Sequence, residues 1–308
     1  MSRLRPYIAI ARIDNWSKNL AMLAGTGLAL VFADTNVALP WRTSLLAMVA
    51  LCLASSANYT INEYVDVRFD QFHPIKRQRA GVQTHLHPGV VALQYLLLAV
   101  TATVAAALAA PSILTVILIY LACAWLYNLP PVRIKDLPYG DVLLESVNYP
   151  FRILIGWFCA LPTVLPPSSI LLVAWSVGAF MMCVKRLAEF QIFADPAQAA
   201  AYRKSYRHYN VKRLMLAAFL YAMLAAFATA VFLLKYRIEF IVVMPFISAW
   251  FVGYLSLGFQ SSQTVIYPER LLRQPGLMVL SLTILVLLVV LARVDIPGLH
   301  LLSQPLRF

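Results

Sequence analysis

SLLAMVALCLASSANYTINEYVDVRFD, residues 44–70, opens as an apolar run and closes on polar side chains with helical spacing. The part from 44 to 64 has the roughly 20-residue length of a membrane crossing and predicts the second of about nine transmembrane helices. The other eight are predicted near 16–33, 88–109, 112–130, 140–160, 168–189, 212–234, 239–259 and 276–294. In hydrocarbon every backbone N–H and C=O must be bonded internally, so the pattern implies an all-α, polytopic helical bundle. Pro88 and Pro111 open the third and fourth helices, Pro130-Pro131 closes the fourth, and Pro162, Pro166 and Pro167 fill the turn before the sixth.

Composition agrees with a bilayer. The chain is 61% hydrophobic and 12% charged, with a mean hydropathy of +0.75, where soluble domains carry about 25% charged residues. The gaps between apolar runs leave no room for a large soluble domain, so a single transmembrane domain is expected over residues 1–308. The net charge of +12 does not point to nucleic acid, because the basic residues sit in short loops between apolar segments. Cys52, Cys123, Cys159 and Cys183 are scattered singly through those segments and read as small core residues. Arg3, Arg5, Arg12 and Lys18 come before or at the start of the first apolar run, and no cleavable signal peptide is expected.

Lys and Arg set the orientation. Nineteen of the 25 fall in the N-terminal segment and in loops 65–87, 131–139, 185–213 and 260–275, and five on the opposite side. The positive-inside rule then places the N-terminus and those loops in the cytoplasm, and the inner (plasma) membrane is the expected location. Ten of the thirteen Asp and Glu residues also gather on that side. Topology does not require acids there; acids and bases at one mouth suggest a site that handles a metal and an anion together.

Asn62, Asp66 and Asp70 recur at i, i+4 and i+8 and so share one helix face. Like charges four apart destabilise a bare helix. A hard cation offsets them, and magnesium is commonly held by one or two carboxylates plus substrate phosphates. The run His73-Pro74-Ile75-Lys76-Arg77-Gln78-Arg79 follows, a basic cluster suited to phosphate. His85, His87 and His208, like His73, lie in predicted loops and read as solvated, with no metal-like grouping. A second cluster starts at Arg133-Ile134-Lys135-Asp136. From it Asp141, Glu145, Asn148 and Arg152 run at i, i+4, i+7 and i+11, a polar stripe down an apolar helix that either lines a cavity or locks packing through an internal ion pair. Tyr267-Pro268-Glu269-Arg270 is either a cap over the site or a loop turn.

These residues resemble the UbiA superfamily of intramembrane prenyltransferases. Asn62-x3-Asp66-x3-Asp70 matches its first signature, and Trp16-Ser17-Lys18-Asn19, Tyr127-Asn128 and Lys135 extend the resemblance along the chain. The resemblance implies that the motif holds Mg2+ on a diphosphate. Family members commonly carry a second Asp-x3-Asp pair after the sixth helix; here Lys185-Arg186-Leu187-Ala188-Glu189 stands there, followed by Arg203-Lys204-Ser205-Tyr206. That departure resembles the decaprenyl-phosphate phosphoribosyltransferase branch. It implies transfer of 5-phosphoribose from phosphoribosyl pyrophosphate to a polyprenyl phosphate, feeding a lipid-linked arabinose donor for glycans. Cations in place of acids suit the additional phosphates, though Lys185 and Arg186 also fit positive-inside anchoring, with Glu189 as an ion-pair partner. The substrate-binding set so implied is Lys18, His73, Lys76, Arg77, Lys135, Asp141, Glu145, Arg152, Lys185, Arg186, Glu189, Arg203 and Tyr206. Two alternatives stand: prenyl transfer from an isoprenyl diphosphate to a small acceptor, and an anionic-metabolite transporter, against which the absence of an internal repeat counts.

Overall fold

The computed structural model describes residues 4–33, 40–193, 195–260, 265 and 274–303. All regular elements among the described residues are helical. In chain order they are α1 (Arg5–Ile10), α2 (Met22–Phe32), α3 (Trp41–Asp70), α4 (Ala80–Gln83), α5 (Pro88–Ala109), α6 (Pro111–Asn128), α7 (Gly140–Ser146), α8 (Asn148–Ala160), α9 (Ser168–Ile192), α10 (Pro196–Tyr202), α11 (Val211–Tyr236) and α12 (Met244–Phe259), then Pro275–Leu291 and Pro297–Ser303.

Six helical segments are long and apolar enough to cross a membrane: α3, α5, α6, α9, Val211–Leu233 within α11, and Ile238–Phe259 ending in α12. Three predicted spans take other forms. Residues 16–33 divide into a 3-10 helix, Ile13–Ala21, and the 11-residue α2. The segment 140–160 breaks at Val147 into α7 and α8, where Pro150 near the start of α8 has no N–H with which to carry the helix across. The last is the 17-residue Pro275–Leu291. Proline sits at the first turn of α5 and α6, as expected where an N–H would be unsatisfied anyway.

The chain forms two compact units, residues 1–166 with 192–210 and residues 167–191 with 211–308. In the first, α3 packs on α5, α6 and α8, and α2 packs on α8. Its core is rich in small residues, including Ala29, Ala47, Ala50, Ala54, Ala102 and Ala106, with Met22, Leu51, Ile113, Ile117 and Ile155 between them. Small side chains let helix backbones approach closely where hydrophobic expulsion from water contributes nothing. Such an approach occurs at α2–α8. A Cβ on Gly156 would fall on the Met22 carbonyl and one on Gly25 on the Ile153 carbonyl, while Thr26 Oγ1 donates to the Gly156 oxygen at 2.9 Å. In the second unit Phe180 meets Phe251 and Trp250 stacks on Tyr254. Leu93, Leu96, Leu97, Val100, Val104 and Leu108 of α5 stay exposed, an apolar stripe suited to lipid. Of the cysteines, Cys52, Cys159 and Cys183 are buried, Cys123 is half-buried, and all four are free thiols.

Candidate active site

At 30 residues, α3 is about 45 Å long at 1.5 Å per residue, longer than the roughly 30 Å hydrocarbon slab. The helix therefore runs on past the predicted end at 64 and carries Asn62, Asp66 and Asp70 on regular helical backbone. What surrounds them comes from elsewhere in the first unit.

The centre of the cluster is Lys135, on the 3-10 turn Ile134–Asp136. Its ammonium donates to Asn62 Oδ1 and Asn128 Oδ1, each at 2.8 Å, and lies 2.7 Å from Asp66 Oδ1. Asn128 is held by its own bonds to Asn58 Oδ1 and the Ala124 carbonyl. Arg133 places one guanidinium nitrogen 2.8 Å from Asp66 Oδ1, another on the Asn128 carbonyl and its Nε on Asp136, with its plane over Phe69. Arg133 has φ of 34°, a left-handed conformation that side chains with a Cβ rarely adopt and that recurs at functional sites. Burial pushes the Lys135 ammonium down to about 8; Asp66 pulls it back up, while Arg133 and Arg203 add to the lowering.

Asp70 is served by a different cation. Arg79 lies 2.9 Å from both Asp70 and Glu63, and Arg12 joins Glu63 at 3.1 Å. Burial works against the Arg79 charge, but Glu63 and Asp70 outweigh it and hold its pKa above the ordinary value. Lys76 is buried, donates to the Tyr202 hydroxyl and lies over that ring.

His73 departs from the expected solvated loop histidine. It is 0% exposed, its Nδ1 accepts from the Ile75 and Lys76 backbone N–H groups, and its ring packs edge-on against Phe193 and Tyr202. This segment is held in the unit by Phe193 and Tyr202, against which His73 and Lys76 pack. His85, His87 and His208 are exposed, as expected, and so is Arg77.

The polar stripe divides. Glu145, Asn148 and Arg152 line a cavity of about 80 Å³ together with Asn58, Tyr59, Asn62 and Tyr127. Within it Tyr127 donates to Glu145 at 2.8 Å, and Arg152 bonds the Asn148 carbonyl and Asn19. Asp141 turns elsewhere, accepting from Tyr209 and facing Arg203 at 3.4 Å. Tyr206 is buried among Phe193, Tyr202 and Tyr209. Lys18 is half-buried on the 3-10 helix Ile13–Ala21, next to Asn19. Lys185, Arg186 and Glu189 lie on α9 in the second unit, where Arg186 pairs with Glu189 at 2.8 Å with both buried. Tyr267-Pro268-Glu269-Arg270 lies outside the described residues.

Arg133, Arg79, Arg12, Glu63, Asn58, Asn128 and Tyr202 complete the cluster without having been singled out as site residues. The available signal was charge: buried acids require cations, and Arg79 and Arg133 stand within the two basic stretches already marked. The side-chain oxygens of Asn62, Asp66 and Asp70 are of the kind a hard divalent ion takes alongside waters and phosphate oxygens.

Fold and site together define a multi-pass, all-helical membrane protein with charged residues clustered at the end of its longest helix. More narrowly, a sequence profile of the UbiA prenyltransferase family matches residues 22–264, and the chain belongs to that family. Decaprenyl-phosphate phosphoribosyltransferase of Mycolicibacterium smegmatis is 30% identical over 211 residues, which cover 66% of this chain and 62% of that protein. The same-named protein of Mycobacterium tuberculosis (strain CDC 1551 / Oshkosh) is 32% identical over 206 residues, covering 65% and 64%. The match thus spans less than two thirds of either relative. A UbiA homolog from Archaeoglobus fulgidus solved with DMAPP and Mg2+ superposes with a TM-score of 0.68 at 18% identity, covering 94% of this chain and 99% of that one. A structure of digeranylgeranylglyceryl phosphate synthase gives 0.61 at 14% identity, covering 98% and 97%. At these identities the likeness is one of fold.

Proposed function

We propose that this protein transfers 5-phosphoribose from phosphoribosyl pyrophosphate to a polyprenyl phosphate, with its active site at the cytoplasmic face of the inner membrane. In this reading residues 1–308 act as one transferase that crosses the membrane about nine times with its N-terminus inside. The observation that carries the proposal is the pairing of an oxygen-donor face, Asn62, Asp66 and Asp70, with cations packed directly against it, Lys135, Arg133 and Arg79. Acids alone suit a metal and cations alone suit an anion; interleaved, they suit a metal-bound diphosphate.

Asn62, Asp66 and Asp70 would hold Mg2+, which supplies charge neutralisation of the departing pyrophosphate. Lys135, Arg133, Arg79 and Lys76 would hold phosphate oxygens in place, converting an encounter into an oriented complex. The acceptor phosphate is already anionic, so its oxygen attacks the sugar C1 without a general base. Glu145 and Arg152, lining the cavity next to Asn62, are assigned to the donor's ribose and its phosphate, and Lys18 to a phosphate on its charge. Arg77 would position phosphates, and His73, Arg203, Asp141 and Tyr206 would complete the substrate-binding set. Lys185 and Arg186 are assigned to phosphate recognition on their charge, with Glu189 orienting Arg186 through their ion pair, and the names of the mycobacterial relatives favour the same donor. The product would feed a lipid-linked arabinose donor for glycan synthesis.

A second reading, transfer of an isoprenyl group from its diphosphate to a small acceptor, is favoured by the family name and by the DMAPP bound in the Archaeoglobus neighbour. Both reactions pose the same leaving-group problem. Purified protein given labelled phosphoribosyl pyrophosphate, polyprenyl phosphate and Mg2+ is expected to yield labelled lipid. Absence of transfer, with turnover of a prenyl diphosphate instead, would overturn the first reading in favour of the second.

A further inference from the structure

Lys135 engages oxygens of the face proposed to hold a metal. Its three N–H groups meet three acceptors, Asn62 Oδ1, Asp66 Oδ1 and Asn128 Oδ1, at 2.7–2.8 Å. Two of those acceptors are oxygens of the donor face itself. Mg2+ takes oxygens at about 2.0–2.1 Å in near-octahedral geometry. Placed on the same Asn62 and Asp66 oxygens, it would share its ligands with the ammonium, and two cations on shared oxygens in a buried site repel. Lys135 is 2% exposed and cannot leave without another set of acceptors.

The wider network offers a bare dication little. Five carboxylates, Asp14, Glu63, Asp66, Asp70 and Asp136, are ion-paired with five cations, Arg12, Arg79, Arg133, Lys135 and Lys204. Within these pairs the acids and cations are equal in number. A diphosphate changes this, because its oxygens can accept from Lys135 and Arg133 at the moment those cations release Asp66.

We propose that Lys135 is a resident cation of the Asn62–Asp66 face. It keeps bare divalent metal out and gives way only to a diphosphate, so that metal and diphosphate bind together. The inference rests on Asn62 and Asp66 being the metal-binding oxygens, and its test separates the two claims.

Mn2+ binding to the full-length protein in detergent is followed by electron paramagnetic resonance, with and without inorganic pyrophosphate. Wild type is expected to bind Mn2+ weakly alone and at least about tenfold more tightly with pyrophosphate, the scale of a charged hydrogen bond exchanged. Lys135→Met is expected to bind Mn2+ alone roughly tenfold more tightly than wild type and to lose most of the pyrophosphate gain; Lys135→Arg, which keeps the charge, is expected to go on excluding the metal. Equal Mn2+ affinity of wild type and Lys135→Met without pyrophosphate would overturn the role given to Lys135. Should Lys135→Met not fold, wild type decides alone: tight Mn2+ binding without pyrophosphate overturns the proposal. Asp66→Asn distinguishes the premise, since undiminished Mn2+ binding with pyrophosphate in that variant removes Asp66 from the metal set.

Discussion

The C-terminal end of α3 and the α2–α8 seam belong to the same unit and are held by opposite means. At the end of α3 long charged side chains from two separate segments, Arg79 from one and Arg133 and Lys135 from the other, converge on Asp66 and Asp70. At the seam the side chains are removed: Gly25 and Gly156 bring two helix backbones into contact, with one hydroxyl bond from Thr26. The first arrangement is rich in alternatives, because each cation has an acceptor it can exchange for a ligand's. The second has none, because a backbone contact admits no substitute. One region is built to rearrange and the other to hold still.

The sharpest way to break this contrast is Asp66→Asn. Transfer is expected to fall by about 10³-fold or more, the scale of losing an electrostatic partner of the transition state, while size-exclusion chromatography still gives folded protein. Retained transfer would end the assignment of the α3 terminus to catalysis. Next is Gly156→Val, which forces a side chain onto the Met22 carbonyl. Overpacking of this kind costs about 1–3 kcal/mol or more, so thermal melting should drop sharply, with specific activity of the surviving folded fraction unchanged. An unaltered melting temperature would show that the seam tolerates a Cβ.

Smaller effects refine the contrast. Arg133→Lys keeps the charge but loses the fork that spans Asp66, Asp136 and the Asn128 carbonyl. The KM for the diphosphate donor should rise about tenfold, with a lesser change in kcat; equal effects on both would place Arg133 in the chemical step instead. Smallest is Ser55→Ala, which takes a hydroxyl from Asn19 and Tyr120. It should lower stability by about 1 kcal/mol and leave transfer unchanged in a steady-state assay.

Local periodicity made much of this protein legible. The apolar runs specify helices, and the i, i+4, i+8 spacing places Asn62, Asp66 and Asp70 on one face, because both are properties of a single segment. The interruption at Val147 was less visible, since the polar stripe from Asp141 to Arg152 runs through it, and only part of that stripe lines the cavity beside Asn62. His73 reads as polar loop yet is buried, because its environment comes from Phe193 and Tyr202, more than a hundred residues away in the chain.

The sequence by itself determined that the chain is an all-helical membrane protein with an acidic face at the end of its second predicted helix, because hydropathy and helical spacing act over one or two turns. Only the tertiary structure decided which cation meets which acid. Arg79 lies nine residues from Asp70, while Lys135 lies 69 residues beyond Asp66. Such pairings depend on which segments the small-residue core brings together. A charge in sequence has a sign and a position, but its partner is fixed only once burial has removed water as the alternative.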